Sequence, residues 1–503
     1  MKKTLYNIGI AAAALCFTAC DMDQTPFSEV TSNKYVKDAN SVNTLVIGAY
    51  NALHDAMYYE WAMTELRTDD ARSYSNNSTS NTTKLIEQLD QSTITPEHEW
   101  VEKCWKGYYA VITRANNVLS YLDKVSDEKL RSQYEGEARF LRAMEYFNLV
   151  RLWGPVFIVK TNTPSEVARN MQRSTTEEVY QLIEEDLERI VNEQLLPEEM
   201  RSEDLGRADL VAAKALLAKV YATHYGIGDD HYKRAAELCQ EVLKSAHIGN
   251  PQSAADLVPY EKIFSTSNEM NREIIFAVRY TAGNVGLGAP FGNLFAPLNN
   301  GGNVIIGTAN GCNCPSDNII AAYTEGDVRL NVNIAQKYYN ATTKQWVTTG
   351  NCRYPAKWVS PVTTAFDGEK DWPIIRVGDI ALLYAELENE LYGPSENALK
   401  YLNMIRQRAG VAPYQFSDVA DKYSFRQAIR QERRLELAFE NQRWFDLMRW
   451  GEAVQTVNAY LKSETFYSGY SYNVRSIAAW QTYLPIPMSV LNISPSVAQN
   501  AGY

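Results

Sequence analysis

Residues 429–451 read IRQERRLELAFENQRWFDLMRWG, and this stretch sets the hardest condition on the fold. On a continuous helix over 423–451, Phe425, Ile429 and Phe439 define an apolar face. Glu432, Glu436 and Glu440 recur at four-residue spacing on or beside that face. A carboxylate taken into a core costs several kcal/mol unless a cation meets it. Three readings follow. A di-metal bundle wants Glu-x-x-His pairs, and the histidines lie elsewhere. Paired catalytic acids, as in glycoside hydrolases, are the second reading. The third is structural, with Arg376, Arg406, Arg408, Arg443 and Arg449 neutralising Glu432, Glu436 and Glu440. A planar guanidinium suits a buried carboxylate, so the density of arginine favours the structural network.

The first 19 residues read as a lipoprotein signal: Lys2 and Lys3, an apolar run over 8–17, then Thr18 and Ala19 before Cys20. The run is too short to span a membrane. Cleavage before Cys20 makes that thiol the lipid attachment site, followed by a tether over 20–40. Loss of the signal moves the net charge from −11 to −13, because two lysines and no acids leave. So acidic a chain is ill-suited to nucleic acid and to a polybasic membrane patch.

Of seven cysteines, Cys104 and Cys239 sit in helical patterns as small buried residues. Cys312, Cys314 and Cys352 lie in loop-like sequence. A metal site there lacks a nearby histidine, and in an exported protein a disulfide from Cys352 to Cys312 or Cys314 is the favoured reading. No cofactor is called for.

Helical periodicity predicts helices at 41–58 with Ser41 as a cap, 97–124, 127–152, 175–192, 206–225, 230–246, 376–392, 396–409 and 423–451. Residues 74–83 read as a polar loop, and the tail after 460 as irregular. The stretch 250–372 is rich in Gly, Asn, Pro and Thr, with strand-like runs at 274–278 and 304–306. The organisation expected is an N-terminal helical region at 41–249, an inserted loop-rich ligand-binding lobe at 250–372 and a C-terminal helical region at 373–503. The fold class is mainly α, with tetratricopeptide-like helical hairpins forming a curved scaffold beside an irregular lobe holding short strands.

The 429–451 segment resembles the C-terminal signature of the SusD/RagB family, the nutrient-binding outer-membrane lipoproteins of Bacteroidetes. Further motifs fit the family in order: ARFLRA at 138–143, LWG at 152–154, RVGDIALLYAELEN at 376–389, LNMIRQRAG at 402–410 and LPIP at 484–487. The resemblance implies a surface lipoprotein without covalent chemistry. It would capture a glycan, or in some members a peptide, and pass it to a SusC-like TonB-dependent transporter in the outer membrane.

Sugars offer C–H faces to aromatic rings and hydroxyls to amide, carboxylate or guanidinium partners. In the first loop region Arg72, Tyr74, Asn76 and Asn77 have that chemistry; in the lobe Tyr280, Asn284, Phe291, Phe295, Asn299, Trp346 and Trp358 do. Asp69 and Asp70 form an acid pair or calcium ligand set, though adjacent acids near a turn are ordinarily solvated. Rival classes are an all-α glycosidase using loop carboxylates and a pure scaffold. No metalloprotease, phosphate-loop or Gly-x-Ser-x-Gly motif is present.

Overall fold

The computed structural model describes residues 35–74, 80–161, 163, 165–350, 353–463 and 476–503. The signal stretch, Cys20, Asn76, Asn77 and Cys352 lie outside these residues.

Helices α1 (Ala39–Asn51), α2 (Leu53–Thr64), α3 (Asn81–Asp90), α4 (Glu99–Ser120), α5 (Glu128–Trp153), α6 (Thr176–Glu193), α7 (Leu210–His224) and α8 (Asp230–Lys244) form the N-terminal half. Helices α9 (Val377–Tyr392), α10 (Glu396–Arg408), α11 (Lys422–Glu436) and α12 (Arg443–Arg449) follow the lobe. From α4 to α10 each of these helices packs on the next, which gives the hairpin scaffold that the periodicity predicts. The starts are set by side-chain caps. Thr175 and Glu178 close a reciprocal capping box on α6. Gly154, at φ +73°, terminates α5 where an L-residue would be strained. Asp38 caps α1, with Ser41 closing its capping box from the third helical position, so the expected cap is one turn too late. The polar stretch 74–83 read as loop ends in a helix: Ser80 caps α3 by accepting the Thr83 N–H, so residues 81–83 are its first turn.

Short strands pair in the lobe. Strand β1 (Ala71–Arg72) meets β3 (Cys314–Pro315), β2 (Ile274–Val278) meets β6 (Trp372–Arg376), and β4 (Lys337–Asn340) meets β5 (Gln345–Thr348), all antiparallel. The β2–β6 pair staples the two ends of the excursion 279–371 to the helical body. Residues 304–306 form no strand. Asn300 draws the Val304 N–H into its own turn at 3.2 Å.

The helix expected over 423–451 is broken. It ends at Glu436, and the chain turns through 437–442 with Phe439 at φ +63° and Asn441 at φ +61° before α12 begins. Such angles in non-glycine residues are held only by their surroundings. Here Tyr260 donates to the Glu436 carbonyl at 2.9 Å, Trp358 Nε1 to the Phe439 carbonyl at 2.7 Å, and the Asn441 N–H to Glu65 at 2.6 Å. Burial pushes the Glu65 carboxyl up to about 8.

The turn keeps Glu440 beside Glu436 although the two no longer share a helix. Arg376 donates Nη1 to Glu436 at 2.5 Å and Nε to Glu440 at 2.6 Å. Arg329 reaches Glu432 at 2.6 Å and Glu436 at 3.2 Å; Arg408 also bonds Glu436. Arg406 meets Glu432 at 2.9 Å and Lys357 meets Glu440 at 2.7 Å. Gly378 sits where a Cβ would lie 2.5 Å from Arg376 Nη1 and 2.7 Å from Glu436 Oε1, so the network requires the missing side chain. Burial alone raises the Glu436 carboxyl, but Arg408, Arg376 and Arg329 outweigh it and hold it well below the usual carboxylate range. Arg443 and Arg449 belong to other pairs: Arg443 bonds Asp69, and Arg449 bonds Glu386 and Asp446. The helix break rotates α12 away from the glutamates.

Glu436→Ala leaves three guanidiniums short of a partner and is expected to cost about 3–5 kcal/mol in urea unfolding at neutral pH. Because the folded pKa of Glu436 lies below the ordinary 4.5, its contribution is full above that pH and fades as pH falls. The variant's acid decline in stability is therefore expected to be shallower than that of the parent; a loss under 1 kcal/mol would contradict the network's role.

Candidate functional site

Asp69 and Asp70 follow α2 and are buried, contrary to the expectation of solvated acids. Arg443 grips Asp69 through both carboxylate oxygens at 2.9 and 3.0 Å. Arg434, on α11, meets Asp70 at 2.5 Å and Asp69 at 3.0 Å. Burial raises the Asp69 carboxyl, and the Arg434 and Arg443 charges reverse that to a net lowering. The aspartates in turn fix β1. Ser316 donates its N–H to the Asp70 carbonyl at 2.9 Å and its hydroxyl to the Asp69 carbonyl at 2.7 Å, beside the β1–β3 pairing. Beyond β1, Asp90 on α3 accepts from the Ser73 N–H at 3.1 Å and hydroxyl at 2.9 Å. His98 bonds the Leu85 carbonyl at 2.9 Å and so anchors α3 to the start of α4.

A cleft of about 260 Å³ opens between this element and the loop that leads into β3. Ser73, Tyr74, Ser80 and Thr83 line one wall, and Leu298, Thr308, Asn310 and Cys312 the other. Tyr74 is half-buried there. The loop wall is held by two buried asparagines. Asn293 Nδ2 donates to the carbonyls of Ile306 at 2.9 Å and Thr308 at 2.8 Å, and Asn300 Oδ1 accepts the Gly302 N–H at 3.1 Å. Asn299 is exposed at φ +55° beside Leu298. Asn303 then accepts the Ala341 N–H at 2.9 Å, which ties the β4–β5 hairpin and its exposed Trp346 to the same loop. The cleft offers hydroxyls, an amide and one phenol ring in a fixed frame, the donor and acceptor set that polyhydroxylated ligands need.

Five candidate contacts are core residues instead. Trp358 is 2 % exposed and stacks on Trp372 with ring centroids 3.9 Å apart. Phe291 packs on Trp372 at 4.4 Å and Phe295 edge-on to Trp61 at 5.0 Å. Tyr280 is buried and stacks on His54 at 4.5 Å. Arg72 is buried in β1 opposite Cys314. The lobe has little regular structure, so these side chains are spent on its interior and on its seam with the helical body. Asn284 does not line the cleft; it lies at φ +59° with its N–H donated to Asp367 at 2.9 Å. Ser73, Ser80, Thr82, Thr83, Thr308 and Asn310 are polar wall residues missed; small polar residues in loops and in the first turn of α3 carry no period that could mark them. Among the described residues no group of three His, Cys, Asp or Glu is arranged to hold a metal ion.

Comparison with known proteins matches two family sequence models. Residues 22–222 match one described as "Starch-binding associating with outer membrane", and residues 307–503 match one described as "SusD family". The chain belongs to the SusD/RagB family. SusD-like protein P25 of Formosa agariphila is 26% identical over 97% of this chain and 97% of its own length. A SusD homolog from Bacteroides thetaiotaomicron superimposes with a TM-score of 0.79 at 24% identity, covering 95% of this chain and 99% of that one. Surface glycan-binding protein A from the same organism, solved in complex with laminarihexaose, gives 0.75 at 22% identity, covering 92% and 99%. These SusD-fold neighbours share the mainly helical architecture described above.

Trp358→Ala is expected to lower unfolding stability by about 3–5 kcal/mol, as for a large core aromatic. An unchanged denaturation midpoint with weakened ligand binding would return Trp358 to the surface.

Proposed function

We propose that this SusD/RagB protein is a surface glycan-binding lipoprotein. Lipid on Cys20 tethers it to the outer membrane facing the exterior, and it hands an oligosaccharide to a SusC-like TonB-dependent transporter. The observation that carries the reading is family membership through both halves of the chain, in a family whose structural neighbours include one bound to laminarihexaose. The cleft supplies matching chemistry: Tyr74 for stacking, and serine, threonine and asparagine groups for hydroxyls. The work is recognition. The acids that read as a catalytic pair, Glu432, Glu436 and Glu440, lie buried against guanidiniums, as does Asp69, which supports recognition over hydrolysis by those residues.

Titration of the mature chain with a panel of neutral and acidic oligosaccharides tests this. Intact glycan should be retained, and Tyr74→Ala should weaken it about tenfold, or about 1.4 kcal/mol, at an unchanged melting temperature. Shortened products would make the protein an enzyme, and binding of peptides alone would replace the glycan.

A further inference from the structure

From Val328 to Phe366 the sequence contains no Asp or Glu, yet it carries Arg329, Lys337, Lys344, Arg353 and Lys357 in a chain of net charge −11. Three of the five bases are spent inside the fold. Arg329 pairs with Asp327 and Glu432, Arg353 with Asp317, and Lys357 with Glu440. Lys337 and Lys344 are exposed, and among the described residues neither has a carboxylate within ion-pair distance. Both stand on the β4–β5 hairpin.

The register of that hairpin sorts its side chains. Lys337 faces Thr348 and Tyr339 faces Trp346, so alternation puts all four on one face. Trp346 is 63% exposed and Tyr339 46% exposed, their rings edge to face at 5.7 Å. The Lys337 ammonium lies 5.1 Å from the indole centroid. The tip is fixed as well: Asn340 Oδ1 accepts the N–H groups of Thr342 at 3.0 Å and Thr343 at 2.9 Å, and Lys344 stands next at φ +55°.

We propose that this face is a subsite for an anionic sugar, a uronate or sulfated residue of the captured glycan. The inference rests on the glycan-binding reading above and names the ligand class. A pyranose laid by its C–H face on the open indole places a ring carboxylate or sulfate within reach of the Lys337 ammonium, while Lys344 adds a second positive charge at the tip. Aromatic stacking takes any sugar; the two unspent lysines select charge. Through Asn303 the hairpin is continuous with the cleft wall, so one chain can lie along both.

The test uses the mature chain, with polygalacturonate and chondroitin sulfate as anionic probes and laminarin and galactan as neutral ones. Affinity electrophoresis is run across a salt series, with K337Q/K344Q and Trp346→Ala beside the parent. The expected result is tighter binding of an anionic probe that weakens with salt. K337Q/K344Q should lose at least tenfold on that probe, with an unchanged melting temperature and unchanged neutral binding, and Trp346→Ala should weaken both kinds. Neutral probes bound as tightly as anionic ones, or full anionic affinity in K337Q/K344Q, would overturn the subsite and leave the glycan reading standing. Binding to no glycan of either charge would remove that reading and the subsite with it. A lysine-dependent attachment to anionic phospholipid vesicles, with no anionic glycan bound, would overturn the proposal in favour of a membrane contact.

Discussion

Three parts of the chain, distant in sequence, are joined where Glu436 ends its helix. Its carboxylate receives Arg329 from the lobe, Arg376 from the strand that closes the lobe and Arg408 from α10. The turn that follows receives Glu65 from the C-terminal cap of α2 and Trp358 from the lobe. None of these charges can be left alone in the interior, because each unpaired ion would cost several kcal/mol. The network therefore acts as a condition of assembly: helices, lobe and C-terminal turn must all arrive for any of its charges to be satisfied. Buried ion pairs add little net stability over an apolar core, and their value here is the single arrangement that they permit.

The same logic extends to the cleft beside Tyr74. Arg434 leaves α11 and Arg443 opens α12 on either side of the turn, and together they hold Asp69 and Asp70. The aspartate backbone holds Ser316 and β1 is paired to β3, so the strand pair from which the two walls depart stands on the C-terminal ion pairs. A loop that binds a flexible, hydrated ligand gains by being ordered beforehand, since ordering on binding would subtract from affinity. The conspicuous acids and arginines of the sequence thus act through position, while the groups proposed to meet the glycan are modest hydroxyls, an amide and a tyrosine.

Much of the scaffold was legible because helices announce themselves by period and cap. Gly154, Thr175 and the alanine-rich α7 carry their structure in a few adjacent residues. The break at 437–442 was illegible, because Phe439 and Asn441 are held at left-handed angles by hydrogen bonding with residues far off in the chain, the Asn441 N–H donating to Glu65 and Trp358 donating to the Phe439 carbonyl. The proposed site was read from the sequence as two regions more than as residues. Tyr74 does line the cleft, whereas Trp358, Phe291, Phe295 and Tyr280 are equally aromatic and equally loop-borne but fill the lobe's interior. Residue type alone cannot tell a ring that stacks on ligand from one that replaces a missing helix in a core. Trp346 differs only by lying on a hairpin whose register turns it outward.

The most direct measurement is hydrogen–deuterium exchange on Arg443→Ala beside the parent protein. If the C-terminal ion pairs hold the cleft, exchange rises at the backbone of β1 and β3 and in the loop before β3, while α5 and α6 keep their protection. Unchanged exchange in β1 and β3, with the Asp69 pair removed, would show that the cleft stands without the network and would contradict the account.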